Sequence, residues 1–317
     1  MKICCGSTYI TSLYATFERG DYSSLPTTDD LRDAMNWAAS AGFQALELEV
    51  LTKRHLDTFD AESLRSLTEA LDSSAVSIPH VSFPFIFHSF PDTSTWRSVK
   101  RDFERCVEVT GRVEAEVIQL TSAPFPGAEL TWDGPYPGGP PANVVFHRVG
   151  GWKSVWGTFV ESVGQLCDMA KAAGLKLAME PRPREVIGNT DAMLALLRDV
   201  GSSDLGTVFD TGHHFVMKEV LPVSIWKLAN SIASVQLSDN DGIIEHHWAP
   251  GEGRIDFESV LRALNDERYG GYLAIESSGV GRRASDFVKA RLYVEDLLGA
   301  VLGETVGASQ KAAYDRR

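Results

Sequence analysis

Four short apolar or β-branched segments in the second half of the chain each finish on a side chain able to bind a hard cation. They run from Leu175 to Glu180, Gly206 to Asp210, Ile232 to Gln236 and Tyr272 to Glu276. Each follows a stretch of helical character, so the series reads as βα units and a parallel sheet. In a closed barrel every strand points its C-terminal end at one face, which brings these side chains together across separations of roughly 25 to 40 positions. A single carboxylate at a strand end is ordinary, a solvated residue or a helix cap. Three carboxylates and an amide oxygen at successive strand ends form an all-oxygen set. Such a set suits one divalent ion, Mn²⁺ or Mg²⁺ before Co²⁺ or Zn²⁺.

The elements that must position these residues extend the same rhythm along the chain. Strand candidates near 2–7, 45–50, 75–81, 116–121, 175–180, 206–210, 232–238 and 272–276 predict an α/β fold. It is a single (β/α)8 TIM barrel over residues 1–302, with a flexible tail at 303–317. Between the first two strands, Thr28 is expected to cap a helix whose apolar positions are Leu31, Ala34, Met35 and Ala38. A second helix, from about Ser154 to Ala173, carries Trp156, Phe159, Val163, Leu166 and Ala170 on one stripe. The stretch from Ser122 to Gly151 breaks the rhythm. Rich in proline, glycine and aromatics, it predicts a long loop after strand 4. That loop is expected to cover the site and to offer Trp132 as a platform for a ring-shaped substrate; an oligomer contact is the competing use.

Composition bounds the partners. The 317 residues are 44% hydrophobic and 23% charged, enough for one large core, and the formal net charge of −13 disfavours nucleic acid. The four cysteines, Cys4, Cys5, Cys106 and Cys167, have no metal-type spacing and read as buried packing residues in a reducing cytoplasm. No window is apolar for long enough to span a bilayer, so no membrane association is expected. Gly251-Glu-Gly253 does not follow the strand, glycine turn and helix order of a dinucleotide site, and no nucleophilic serine or cysteine motif is present.

Further polar residues fall where a substrate would be held. His80 ends a strand candidate, while Asp239 and His247 follow the seventh strand and could orient ligands. Arg182 and Arg254 could grip a carboxylate or phosphate, although surface ion pairs are the commoner use of arginine.

The barrel rhythm, the four strand-end residues, the Asp210-Thr-Gly-His213 turn and the stretch from Ala249 to Phe257 together resemble the xylose isomerase-like TIM barrels, the sugar isomerase/epimerase superfamily. The resemblance covers about Lys2 to Ala300. It implies a divalent cation held by Glu180, Asp210, Gln236 and Glu276, with glutamine where the family carries histidine. It also implies Glu180 and Glu276 as an acid/base pair, His213 as a hydrogen-bond partner of substrate oxygens, and Glu47, or its neighbour Glu49, as a substrate-binding glutamate at the end of strand two. The expected activity is isomerisation or epimerisation of a sugar or keto-sugar by proton abstraction next to a carbonyl, through a metal-stabilised enediolate. The close alternative is a lyase, because glutamine at position 236 resembles the dehydratase branch; β-elimination on a 3-keto-glycoside or a 3-dehydroshikimate-type compound is its form. The partner expected is a small carbohydrate-like molecule, with a homo-oligomer or a small partner subunit left open.

Overall fold

Aliphatic and β-branched runs become strands and the amphipathic stretches between them become the surrounding helices. The computed structural model describes residues 1–8, 25–92, 94–131, 143–278 and 283–303. Trp132, Tyr136 and the tail beyond Gly303 lie outside the described residues.

The first strands are β1 (Lys2–Cys5), β2 (Ala45–Leu46), β3 (Leu48–Glu49), β4 (His80–Ser82) and β5 (Val117–Thr121). A separate ribbon, β6 (Ala128–Thr131) with β7 (Asn143–Phe146), follows. Then come β8 (Lys176–Glu180), β9 (Leu205–Asp210), β10 (Ile232–Leu237) and β11 (Tyr272–Ile275). Apart from the ribbon, they form one parallel sheet in the order β2-β1-β11-β10-β9-β8-β5-β4-β3. β2 and β3 are halves of one extended segment parted at Glu47. The two ends of the sheet meet there, since the Glu47 N–H donates to Cys5 O at 2.8 Å and the Val50 N–H to Ser82 O at 2.8 Å. The sheet is thereby a nearly closed (β/α)8 barrel with its helices outside.

Two boundaries differ from the sequence reading for physical reasons. The strand expected near 75–81 starts at His80, because Pro79 has no N–H to give a ladder, and Ser77 makes only an isolated bridge to Ala45. The helix Thr28–Ser40 is capped by Thr27, not Thr28. Thr27 is the residue with an acid three positions on, and the Asp30 carboxylate accepts the Thr27 N–H at 2.8 Å while Thr27 Oγ1 accepts the Asp30 N–H at 3.3 Å. Its predicted apolar face, Leu31, Ala34, Met35 and Ala38, is buried.

The barrel lumen is narrow and takes small side chains. Cys4, Ala45 and Ala274 pack together, as do Val117, Ala178 and Val208. The bulky residues, including Phe103, Phe159, Phe209 and Phe257, are fully buried in the main core. All four cysteines are buried and unbridged. The stretch after β5, expected as a loop, instead pairs its arms as the antiparallel β6–β7 ribbon, because Val144, Val145 and Phe146 favour extended backbone. Those three side chains remain exposed.

Candidate active site

Strand side chains alternate between faces, so a strand-end residue and those two and four positions before it look into the barrel. That parity turns Glu180, Asp210, Gln236 and Glu276 inward at the same end. A cavity of about 190 Å³ opens there, walled by Glu49, Ser82, Thr121, Glu180, Gln236 and Glu276 from strand ends and by Arg182, His213 and His247 from the segments that follow.

Asp210 is fully buried and caps the short helix Thr211–Val216, its Oδ1 accepting the His213 N–H at 2.7 Å and the Ser238 hydroxyl at 3.1 Å. This cap aims the His213 ring across the cavity, where Nε2 lies 2.9 Å from Glu180 Oε1 and Nδ1 contacts Glu245 Oε2. His214, next in the chain, turns away and stacks on Phe209 at 4.4 Å. His247, whose ring stands edge-on to that of His213 at 5.4 Å, places Nε2 3.6 Å from Glu276 Oε2, and the other Glu276 oxygen accepts Gln236 Nε2 at 3.0 Å. The Gln236 Oε1 atom is buried and has no hydrogen-bond partner among the described residues. Asp210, His213 and His247 also bring one donor atom each within 4.8 Å of one another, so nitrogen donors stand beside the oxygen set.

The residues inferred from sequence separate into two groups. Glu180, Gln236, Glu276, His213, His247 and Arg182 line the cavity and Asp210 adjoins it. Glu47, His80, Asp239 and Arg254 do not line it. Glu47 is completely buried and accepts Gln236 Nε2 at 3.2 and 3.3 Å, and Glu49, two positions on, takes the place at the cavity wall. His80 sits edge-on to Tyr272 at 5.9 Å, and burial holds its imidazole down at about 4. Asp239 accepts the backbone N–H groups of Gly251, Gly253 and Ile255 and so ties down the loop after β10. Its backbone pairs with Trp248, which fixes the neighbouring His247. The Arg254 side chain is exposed. Trp132 lies outside the described residues.

Glu245 was not anticipated. It stands 32 positions from His213 in a loop without periodicity, and the only sequence sign of it is the polar run Glu245-His-His247.

The electrostatics are those of a crowded acidic pocket. Burial pushes Glu276 up to about 7, opposed by His247, and pushes Glu49 up to about 7, with Glu47 and Glu180 adding to the rise. Burial acts the same way on Glu180, but the hydrogen bond and charge of His213 outweigh it and hold that carboxyl below its ordinary value. Burial would lower His213, yet Glu245, Asp210 and Glu180 surround the ring and raise it well above its usual value. One glutamate is therefore biased towards the charged form and the other towards the protonated form.

The comparisons with known proteins define the class. A sequence model of the xylose isomerase-like TIM barrel matches residues 35–296, and the chain belongs to that family. Fructoselysine 3-epimerase of Escherichia coli O157:H7 is 30% identical over 125 residues, which are 38% of this chain and 46% of that protein. Inosose dehydratase of Clostridium perfringens is 26% identical over 161 residues, 44% of this chain and 54% of that one. The chain spans about half the length of the curated relatives it matches. Among solved structures, D-psicose 3-epimerase in the presence of D-fructose superposes with a TM-score of 0.71 at 15% identity, covering 94% of this chain and 100% of that one. The IOLI protein with a binding zinc atom gives 0.70 at 16% identity, covering 97% and 100%. At these identities the structures establish the shared fold.

Proposed function

We propose that this chain is a divalent-metal-dependent isomerase or epimerase of a sugar or keto-sugar, acting by proton transfer at the carbon next to a carbonyl. The observation that carries the proposal is that Glu180 and Glu276 stand on the walls of one cavity, each beside an imidazole, His213 Nε2 at 2.9 Å from Glu180 Oε1 and His247 Nε2 at 3.6 Å from Glu276 Oε2. Glu180 takes the substrate proton, and Glu276 returns one from the other side. The His213 ring, 2.9 Å from Glu180, and the His247 ring, 3.6 Å from Glu276, hold the two carboxylates in place. Arg182 and Glu49 orient the hydroxyl groups. The epimerase names among the relatives support the same reading.

The donor set fits a cation. Among the described residues Gln236 Oε1 is buried and without a partner beside Glu276, and Asp210, His213 and His247 bring donor atoms within 4.8 Å of one another. Mn²⁺ or Mg²⁺ suits those oxygens, and the adjacent imidazoles keep Co²⁺ and Zn²⁺ within range. When bound, such an ion supplies Lewis-acid stabilisation of the negative charge that develops on a substrate oxygen.

Elimination is the second reading, favoured by Gln236 and by the inosose dehydratase relative. If a group on the β carbon leaves before Glu276 returns the proton, the same residues make a lyase. A panel of ketoses, inososes and 3-keto-glycosides in deuterated water separates the two. Epimerisation gives a product heavier by one deuterium, whereas elimination gives a smaller, unsaturated one. Glu276→Gln is expected to abolish turnover with the fold retained by circular dichroism, and a fully active variant would remove the acid/base assignment.

A further inference from the structure

We propose that Glu47 is a positioning residue which decides the way the Gln236 side-chain amide faces and thereby turns its oxygen towards the cation. This rests on the reading of Gln236 as a donor to that ion. An amide is nearly symmetric in shape, so its orientation is set only by which partners demand a donor and which an acceptor. Gln236 is 4% exposed, and its Nε2 meets Glu47 Oε2 at 3.2 Å, Glu47 Oε1 at 3.3 Å and Glu276 Oε1 at 3.0 Å. Burial and the neighbouring Glu276 push the Glu47 carboxyl up to about 8, yet ionised or protonated it keeps an oxygen that only accepts. A flipped amide would set its oxygen against theirs and turn its NH₂ group to the ion.

Glu47 is the partner with no other task in the cavity. It lines no part of the wall, whereas Glu276 does. Its place is fixed by the backbone, because it sits at the break between β2 and β3 where the barrel closes, and its own Oε2 accepts the Ser7 N–H at 3.4 Å. The closure of the sheet is thus coupled to the presentation of one oxygen atom. A supporting residue of this kind is worth about 10- to 100-fold in metal affinity.

The experiment titrates Mn²⁺ alone into the metal-free full chain by calorimetry, with thermal unfolding of each metal-free variant as the check on the fold. Glu47→Gln, which serves either amide orientation, is expected to lower Mn²⁺ affinity by about tenfold or more. Glu47→Asp keeps the charge but withdraws it from the amide, and a fall is expected there too. A carboxylate at position 236 has two equivalent oxygens and nothing to orient. In a Gln236→Glu background, Glu47→Gln should therefore leave the affinity unchanged or raise it. Unchanged affinity for both Glu47 variants in the native background overturns the proposal. So does an equal fall in the two backgrounds, which would make Glu47 a source of field alone. Gln236→Ala tests the reading underneath. If it leaves Mn²⁺ affinity intact, Gln236 is no donor and the proposal goes with it. If it lowers affinity while the Glu47 variants do not, only the role of Glu47 is refuted.

Discussion

Glu219 lines no part of the cavity, yet its carboxylate clamps three segments beneath it. It accepts the Thr190 N–H at 3.0 Å and hydroxyl at 2.7 Å, the Ser224 hydroxyl at 3.2 Å, and contacts His214 Nδ1. His214 adjoins His213, so this clamp fixes the base of the turn that aims His213. Replacing Glu219 by Ala leaves buried donors unpaired and is expected to cost about 2–3 kcal/mol in urea unfolding at neutral pH. Burial alone would raise the Glu219 carboxyl, but His214 and Thr190 overcome it and bring it from 4.5 down to about 2. A depressed carboxyl contributes stability above its unfolded value. That contribution fades as pH falls from 4.5 towards 2. The stability gap between the native protein and Glu219→Gln should close over that window, and a gap independent of pH would disprove the clamp. The same scale shows what side-chain type reveals. Glu180, Asp210, Gln236 and Glu276 were legible because each ends a strand with its own local pattern. Glu245 was not, because an irregular loop carries no periodic signal.

Among the elements, the turn from Asp210 to Val216 depends on a close approach that only glycine permits. A Cβ on Gly212 would fall against Ser238 Oγ and lie 3.3 Å from Asp210 Oδ1. Gly212→Ala should therefore push Ser238 away from Asp210. The expected cost is about 1–3 kcal/mol, with loss of activity beyond the loss of folded protein. Gly164, inside the helix Trp152–Ala172, has open space where a Cβ would stand. Gly164→Ala should raise stability by about 0.5–1 kcal/mol and leave kinetics unchanged. Paired thermal melts and kcat measurements check both, and a harmless Gly212→Ala would refute the packing account. Strand and helix order was readable from periodicity, whereas the choice between Glu47 and Glu49 was not. Two residues of the same type, two positions apart, look to the same face, and only the break at the closing strand puts one beneath the other.

For the whole molecule, the cost of the site is visible in its charge. Carboxylates gathered at one end of a barrel with net charge −13 repel each other, and the cation proposed above would relieve that repulsion in the folded state alone. Free Mn²⁺ at about one hundred times its Kd should add about 2.7 kcal/mol of stability. For a chain of this size that corresponds to a rise in Tm of about 5 °C, reversed by a chelator. No shift with Mn²⁺, Mg²⁺, Co²⁺ or Zn²⁺ would remove the cation from the account. Among the described residues no helix is long and apolar enough to cross a membrane. The sequence by itself determined the barrel rhythm and which polar residues stand at the strand ends, because alternation and helical spacing are short-range properties written within a dozen residues. Only the tertiary structure decided that Glu49 reaches the cavity while Glu47 lies beneath it, that Glu245 holds His213, and that Ser7 approaches Glu276 across 269 positions. Those contacts arise from closing a barrel, and the free energy of closure belongs to the whole chain and to no single segment.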